Sequence, residues 1–171
     1  MAQDTPPSTP ILTIDSERLF LSSDFGQRVA AEIEARGNEL ASENRRIEAE
    51  LAAEEQELTN RRAEMTAEEF RPLADDFDAR VQQTRAAQAA KSRALNSLLD
   101  REREIFLGAA GPVLQELMED VGASVVLERR TVFISTNSSD ITAAAIARIN
   151  DVLGAGETLE RAPESAPANP D

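Results

Sequence analysis

The chain of 171 residues has a formal net charge of −14 and contains six Phe, no Trp or Tyr, and no Cys or His. The missing Cys and His remove thiol nucleophiles, imidazole bases and the usual zinc ligands, and the negative charge argues against nucleic acid or anionic lipid as a main partner. We therefore predict no catalytic site, no metal site and no cofactor. No apolar run reaches the roughly 18 residues that a bilayer crossing needs, so we expect no stable membrane insertion.

The first predicted element is a short strand near the start of the chain. Ile11-Leu12-Thr13-Ile14 is β-prone and is bounded by Pro10 and Asp15, which predicts a strand over these residues. Residues 1–9 are polar and proline-rich, and we expect them to be disordered. Their Ala2-Gln3-Asp4 opening is typical of a mature exported chain whose signal peptide has been removed.

A long helical pattern follows from about Ser23. Apolar residues recur every seven positions, in two sets that are offset by four, and this predicts a coiled-coil seam. The first set is Ile33, Leu40 and Ile47, and the second is Leu51, Leu58 and Met65. Small or polar residues interrupt the seam at Gly37, Asn44, Glu54 and Arg61, and we expect them to loosen it.

The chain is predicted to reverse direction between Met65 and Phe70. Thr66 and Glu69 have the spacing of a capping box, and Met65 and Phe70 occupy the positions of a hydrophobic staple, so a second long helix should begin here. Pro72 falls in its second turn, where we expect a bend rather than an end.

An apolar group surrounds this reversal and is the main candidate contact site. It has two interpretations: the residues only staple the turn, or they form an exposed apolar contact for unfolded chains. The candidate contact residues are Met65, Phe70, Leu73 and Phe77. Farther along the returning helix the seam becomes small and polar, at Thr84, Gln88 and Lys91.

Glycine and proline predict the end of the second helix. Gly108 and Gly111-Pro112 are expected to break it, with a shorter helix restarting at Val113 and ending at Gly122.

Two strands and a final helix are predicted after this break. Residues 124–127 and 131–135 are β-prone and indicate a hairpin, although the turn between them lacks Gly or Asn. The side chains of residues 137–140 can cap an Ala-rich helix over residues 141–153, and Gly154 should end it.

These elements together predict an α+β fold that is mostly helical, with a long antiparallel coiled-coil-like helical hairpin projecting from a small β-body. Three short strands cannot close a sheet or cover its edges alone, so we expect trimerisation to complete the body. The predicted segments are a disordered 1–9, a β-containing oligomerisation body of 10–22 and 108–153, a helical arm of 23–107 with its tip near 65–70, and a disordered tail of 154–171. The predicted contacts between chains in the body are Ile11, Ile14, Val125, Leu127, Val132 and Ile134.

Paired charges give no sign of chemistry. Glu54-Glu55 and Asp75-Asp76 could serve acid–base catalysis or bind a cation, but they lie on solvated helix faces without a pocket that would shift a pKa. The basic doublets Arg45-Arg46 and Arg61-Arg62 are surrounded by Glu and are interpreted as intrahelical ion pairs. No EF-hand loop, Gly-rich phosphate loop or nucleophile elbow occurs.

Three stretches resemble the Skp (OmpH-like) family of periplasmic chaperones. They are Ile11-Leu12-Thr13-Ile14-Asp15 leading to Leu19-Phe20, then Met65-Thr66-Ala67-Glu68-Glu69-Phe70, and then Ala123 to Leu127 through Ser139-Asp140-Ile141-Thr142. The likeness extends over about residues 10 to 152 and depends on the order and spacing of the three together.

The resemblance implies a homotrimer in which strands of three chains join into a central β-body and three helical arms surround a cavity. It also implies an ATP-independent holdase that binds unfolded outer-membrane β-barrel proteins and prevents their aggregation during outer-membrane protein biogenesis. The competing hypothesis is a structural coiled-coil scaffold that docks a folded partner. A cytosolic prefoldin-like chaperone is a variant of the first hypothesis, and an enzyme is a distant third.

One feature departs from the family pattern. Well-known members are basic with positive arm tips, whereas residues 54–80 here contain nine acids and four Arg. We therefore do not transfer lipopolysaccharide or anionic-membrane contact to the tip of this chain.

Overall fold

The computed structural model describes residues 10–157 and residue 159. Its elements are β1 (Ile11–Ile14), α1 (Ser16–Leu21), α2 (Asp24–Arg62), α3 (Ala67–Asp120), β2 (Val125–Glu128) and α4 (Thr142–Leu153), with 3-10 turns at Arg129–Thr131 and Asn137–Ser139. The segment 1–9 that we expect to be disordered, and most of the expected tail, lie outside the described residues. The prediction of a mostly helical α+β fold with long helices is confirmed, and the described residues contain a pair of strands in place of the three that the sequence predicts.

The chain divides into two compact units. The hairpin unit is Ala30–Glu102, and the body unit consists of the described residues up to Val29 and from Arg103 onward.

The sheet of the body unit pairs two strands that are far apart in sequence. β1 and β2 run parallel, with Ile11 opposite Val125 and Ile14 opposite Glu128. On the other side of β1, Thr13 forms a parallel bridge with Asp140, and its carbonyl oxygen accepts a hydrogen bond from Ile141 N at 3.0 Å. A parallel pair needs a long crossover, which α2 and α3 provide.

The predicted hairpin between residues 124–127 and 131–135 is wrong. Residues 129–131 form a 3-10 turn, and residues 132–135 are not a strand, so Val132 and Ile134 are not in the sheet. Two physical reasons account for this. The connection lacks the Gly or Asn that a tight hairpin requires, and β1 offers β2 a partner whose Leu12, Thr13 and Ile14 are buried.

Three phenylalanines form the core of the body unit. The ring centroid of Phe106 lies 5.3 Å from that of Phe20 and 5.4 Å from that of Phe25, and all three side chains are buried. Val29 and Ile149 are buried in the same unit, so that α1, α2, α3 and α4 all contribute to this core. Such edge-on and tilted ring contacts stabilise beyond the area they bury.

The start of α2 is held by polar contacts from two other places in the body unit. Ser23 Oγ accepts a hydrogen bond from Gly26 N at 3.0 Å and donates one to the Phe20 carbonyl at 2.7 Å. Asn150 of α4 accepts from Asp24 N at 3.0 Å. These bonds satisfy backbone groups that the first turn of a helix leaves unpaired.

The predicted break at Gly108 and Gly111-Pro112 is also wrong, because α3 continues without interruption to Asp120. Ala110 and Val113, on either side of this sequence, are both buried. The burial of these apolar side chains offsets the free-energy cost of the one backbone hydrogen bond that Pro112 cannot donate.

The final helix is confirmed. Asp140 Oδ1 accepts hydrogen bonds from Thr142 N at 2.9 Å and Thr142 Oγ1 at 2.5 Å, and these bonds lower the pKa of Asp140. Gly154 ends α4 with a φ of 52°. Two residues later, Gly156 is buried, so the first residues of the expected tail still pack against the body unit.

Candidate functional site

The reversal in the hairpin unit has the predicted capping box. Thr66 N donates to Glu69 Oε2 at 3.0 Å, and Glu69 N donates to Thr66 Oγ1 at 3.3 Å. The bond from Thr66 N holds the pKa of Glu69 below its usual value. α3 therefore begins at Ala67 for the local reason that the sequence indicates.

The candidate contact residues at this reversal are all half-buried. Phe70, Leu73 and Phe77 are three and four residues apart and share one face of α3, and Met65 lies just before the turn. The guanidinium of Arg62 lies 4.8 Å from the centre of the Phe70 ring. The residues thus have both properties the sequence left open, since they cover the turn and still present apolar surface.

Two ion pairs join α2 and α3 within the hairpin unit. Lys91 Nζ donates to both carboxylate oxygens of Glu43, at 2.7 and 2.8 Å, and Arg80 donates from two nitrogens to the carboxylate of Glu54. The two helices run antiparallel, because Glu54 lies later on α2 than Glu43, whereas its partner Arg80 lies earlier on α3 than Lys91. Sequence reasoning missed both pairs, and it assigned Glu54 to a solvated face.

An open groove lies between the two helices, mostly in the segment that these ion pairs enclose. We call it the central groove; its volume is about 650 Å³. Its apolar lining includes Ile47, Leu51, Phe77 and Val81, all of them half-buried. The remaining lining residues are Asn44, Glu48, Ala52, Glu55, Asp78, Thr84, Arg85 and Gln88.

The groove follows from the interrupted seam. In the register of the ion pairs, Ile47 comes within one residue of Gln88 and Leu51 within one residue of Thr84, so apolar side chains of α2 lie opposite polar ones of α3. Mismatched pairs cannot interdigitate as an apolar seam does, and space remains between the helices. The polar middle that the sequence predicts is therefore the physical origin of the groove.

The ion pair of Glu43 with Lys91 should respond to pH in a defined direction. The hydrogen bond and charge of Lys91 hold the pKa of Glu43 below its usual value of 4.5. A lowered pKa in the folded state means that the pair stabilises the hairpin fully above the unfolded-state pKa, and that this contribution is lost as the pH falls through the lowered value.

We expect a double-mutant cycle of Glu43→Gln and Lys91→Gln to give a stabilising coupling energy at pH 7 that vanishes well below pH 4.5. Urea unfolding followed by circular dichroism measures it. The neutral pair Gln56 and Asn60, joined by a 3.1 Å hydrogen bond, is the control and should show no such pH dependence. A coupling energy that stays constant through acid pH would exclude the charged pair as its source.

The body unit carries the candidate assembly residues, which differ in exposure. Ile14 is buried within the chain, whereas Ile11, Val125 and Leu127 are exposed and Val132 is half-buried. Ile134 is 84% exposed, and its neighbour Phe133, which the sequence prediction did not include, is fully exposed. The outer edge of β2 has no strand partner within the described residues.

Within residues 10–157 and 159, no helix is long and apolar enough to cross a membrane. In the same part of the chain, no group of three or more acidic side chains is placed to hold a metal ion.

Comparisons with known proteins agree with this architecture. A search of the curated proteins gave no match. A solved structure with the same fold is that of a candidate outer membrane chaperone (OmpH-like) from Caulobacter crescentus CB15, with a TM-score of 0.80 and 16% sequence identity. The match covers 90% of this chain and 91% of that one.

A family model described as outer membrane protein (OmpH-like) matches residues 10–149. This range contains all three stretches on which the sequence resemblance depends, so the resemblance is confirmed. The chain belongs to the OmpH-like family.

Proposed function

We propose that this protein is an ATP-independent holdase of the periplasm that binds unfolded outer-membrane proteins in a cavity between helical arms and prevents their aggregation. The observation that carries the proposal is a helical hairpin whose apolar side chains stay half-buried along its length, from Ile33 to Leu58 on α2 and from Phe70 to Leu95 on α3. Partly covered apolar groups can make many weak contacts with an unfolded chain without a preformed fit. Family membership and the fold of the Caulobacter protein support the same role.

The acidic surface suits such a role. Each chain carries a formal charge of −14, which keeps a complex with an aggregation-prone client soluble. The same charge disfavours nucleic acid, lipopolysaccharide and anionic membranes as partners, and the proposal includes none of them. It also needs no metal, cofactor or catalytic residue.

We further propose that the working form is a homotrimer assembled through the body unit. The support is the edge of β2 that has no strand partner within the described residues, together with the exposed Phe133 and Ile134, an apolar surface that a lone chain would leave in water. Sedimentation equilibrium at low micromolar concentration should give the mass of three chains, and a monomer mass would contradict the assembly.

The holdase activity is tested by diluting a urea-unfolded outer-membrane β-barrel protein into buffer and following light scattering. We expect scattering to fall to near baseline at one trimer per client, because apolar client segments are then covered. Unchanged scattering would contradict the proposal.

A variant of the reversal tests the candidate contact residues. Leu73→Ser combined with Phe77→Ser should raise by several-fold the amount of chaperone needed to suppress aggregation of the client, since both substitutions remove apolar contact area. The matched control is Gln82→Ser with Gln83→Ser, two exposed changes on the same helix that should have no effect. Equal behaviour of the two variants would remove Leu73 and Phe77 from the contact surface.

The alternative is a coiled-coil scaffold that docks a folded partner, and the two ion pairs between α2 and α3 favour it because they stiffen the hairpin. Hydrogen exchange over residues 40–100 separates the two functions. Slow and uniform protection would favour the scaffold, whereas faster exchange around the central groove would favour the holdase.

A further inference from the structure

We propose that the central groove is a subsite for client segments in which Lys or Arg adjoins apolar side chains. This inference rests on the proposed holdase function and adds the class of segment that the hairpin prefers. Three independent features of the groove carry it: its apolar lining, the charge of its rim and one buried acceptor.

The apolar lining has unused capacity for contact. Ile47, Leu51, Phe77 and Val81 line the groove from both helices, and each is only half-buried. The space of about 650 Å³ is enough for several aliphatic side chains, whose burial there would be favourable. The groove is open to solvent along the hairpin, so an extended segment can enter without the helices separating.

The rim of the groove is acidic. Glu48, Glu55 and Asp78 line it and are exposed, and within the described residues none of them forms an ion pair. Among the described residues that line the groove, Arg85 is the one basic residue. The nearby cations Arg80 and Lys91 are already paired with Glu54 and Glu43, so they do not neutralise the rim.

This charge pattern selects among occupants. A segment bearing Lys or Arg can place its apolar side chains in the groove and its cationic groups over the three rim carboxylates, whereas an acidic segment would meet like charges. Because the rim is exposed, the preference should weaken as salt is added.

One lining residue also has an unmet hydrogen-bonding group. Gln88 Oε1 is buried and has no hydrogen-bond partner among the described residues. A buried acceptor without a donor is unfavourable, so we expect the Gln88 amide to rotate toward the groove when a peptide N–H, a guanidinium or an ammonium group of the occupant can donate to it. An apolar segment without basic residues could donate to this acceptor only from its backbone N–H groups.

The test uses the full chain and two labelled twelve-residue peptides of equal Leu and Ala content, one with four Lys and the other with four Glu. Fluorescence anisotropy should show the Lys peptide binding about tenfold more tightly at low ionic strength, with the ratio falling at 0.5 M NaCl. Equal affinities for the two peptides at low ionic strength would overturn the proposal.

A pair of charge-matched variants locates the effect. Glu48→Lys with Glu55→Lys and Asp78→Lys should reverse the preference, because the rim becomes basic. Glu39→Lys with Glu57→Lys and Asp100→Lys changes the net charge equally at exposed positions outside the lining, and it should keep the preference for the Lys peptide. If both triple variants shift the preference equally, the general field of the protein is responsible and the groove is not the subsite.

The aggregation assay keeps this inference separable from the proposed function. A parent protein that suppresses aggregation but binds both peptides alike refutes only the charge-selective groove. A parent protein that neither suppresses aggregation nor binds either peptide refutes the holdase as well.

Discussion

Replacing Gly26 by alanine is expected to lower the free energy of unfolding by roughly 3 kcal/mol or more. Gly26 is buried near the start of α2, and a Cβ at this position would lie 1.9 Å from the carbonyl oxygen of Phe20. That carbonyl cannot easily move, because Ser23 donates to it from Oγ at 2.7 Å and from its backbone N at 3.2 Å. The added methyl group would therefore have to displace the junction of α1 and α2.

Gly108→Ala is the matched control for this substitution. Gly108 is exposed within α3, and apart from its chain neighbours a Cβ added there would meet nothing within 4 Å. Alanine is a better helix former than glycine, so the free energy of unfolding of this variant should rise by about 0.5–1 kcal/mol. Urea unfolding at one fixed protein concentration compares the two, and a Gly26→Ala midpoint equal to that of the parent would show that the close approach to Phe20 is wrong.

The parts of the fold that the sequence predicts correctly depend on local signals. Thr66 and Glu69 are three residues apart and satisfy each other's backbone N–H groups, so the start of α3 is determined within one helical turn. Gly154 ends α4 for an equally local reason, since it adopts a positive φ that other residues rarely take. The heptad pattern of α2 likewise predicts which face of the helix is covered, although it does not identify the residues that cover it.

The parts that the sequence does not predict depend on contacts between distant residues. β1 and β2 are separated by more than a hundred residues, and no local pattern shows that Ile11 lies opposite Val125. Gly111-Pro112 is a strong local signal for a helix end, yet the burial of Ala110 and Val113 in the body unit overrides it. Tertiary packing decides the outcome in both places.

The candidate site shows the same division. The polar middle of the returning helix is visible in the sequence, but the central groove depends on which residue of α2 each of these positions faces. That register becomes known only from the pairs Glu43–Lys91 and Glu54–Arg80, which join residues far apart in sequence. The acidic rim could be counted from the sequence, although its position beside apolar side chains could not.

Phe106→Ala is expected to cost about 3–5 kcal/mol of unfolding free energy, because it removes the ring that contacts both Phe20 and Phe25. Phe106 is completely buried, so the substitution leaves a cavity among side chains that α1 and α2 hold in place. Thermal unfolding of the parent and the variant, at matched concentrations, measures the loss. A change below about 1 kcal/mol would mean that these rings do not form the core of the body unit.

Phe133→Ala is the matched control and also bears on assembly. Phe133 is fully exposed in the single chain, so its removal should change the stability of that chain by no more than about 0.5 kcal/mol. If the exposed segment packs between chains, the parent should unfold at a temperature that rises with protein concentration, and Phe133→Ala should reduce this dependence. Phe106→Ala would instead lower the unfolding temperature at every concentration. A concentration dependence that Phe133→Ala leaves untouched would place the contact between chains elsewhere on the body unit.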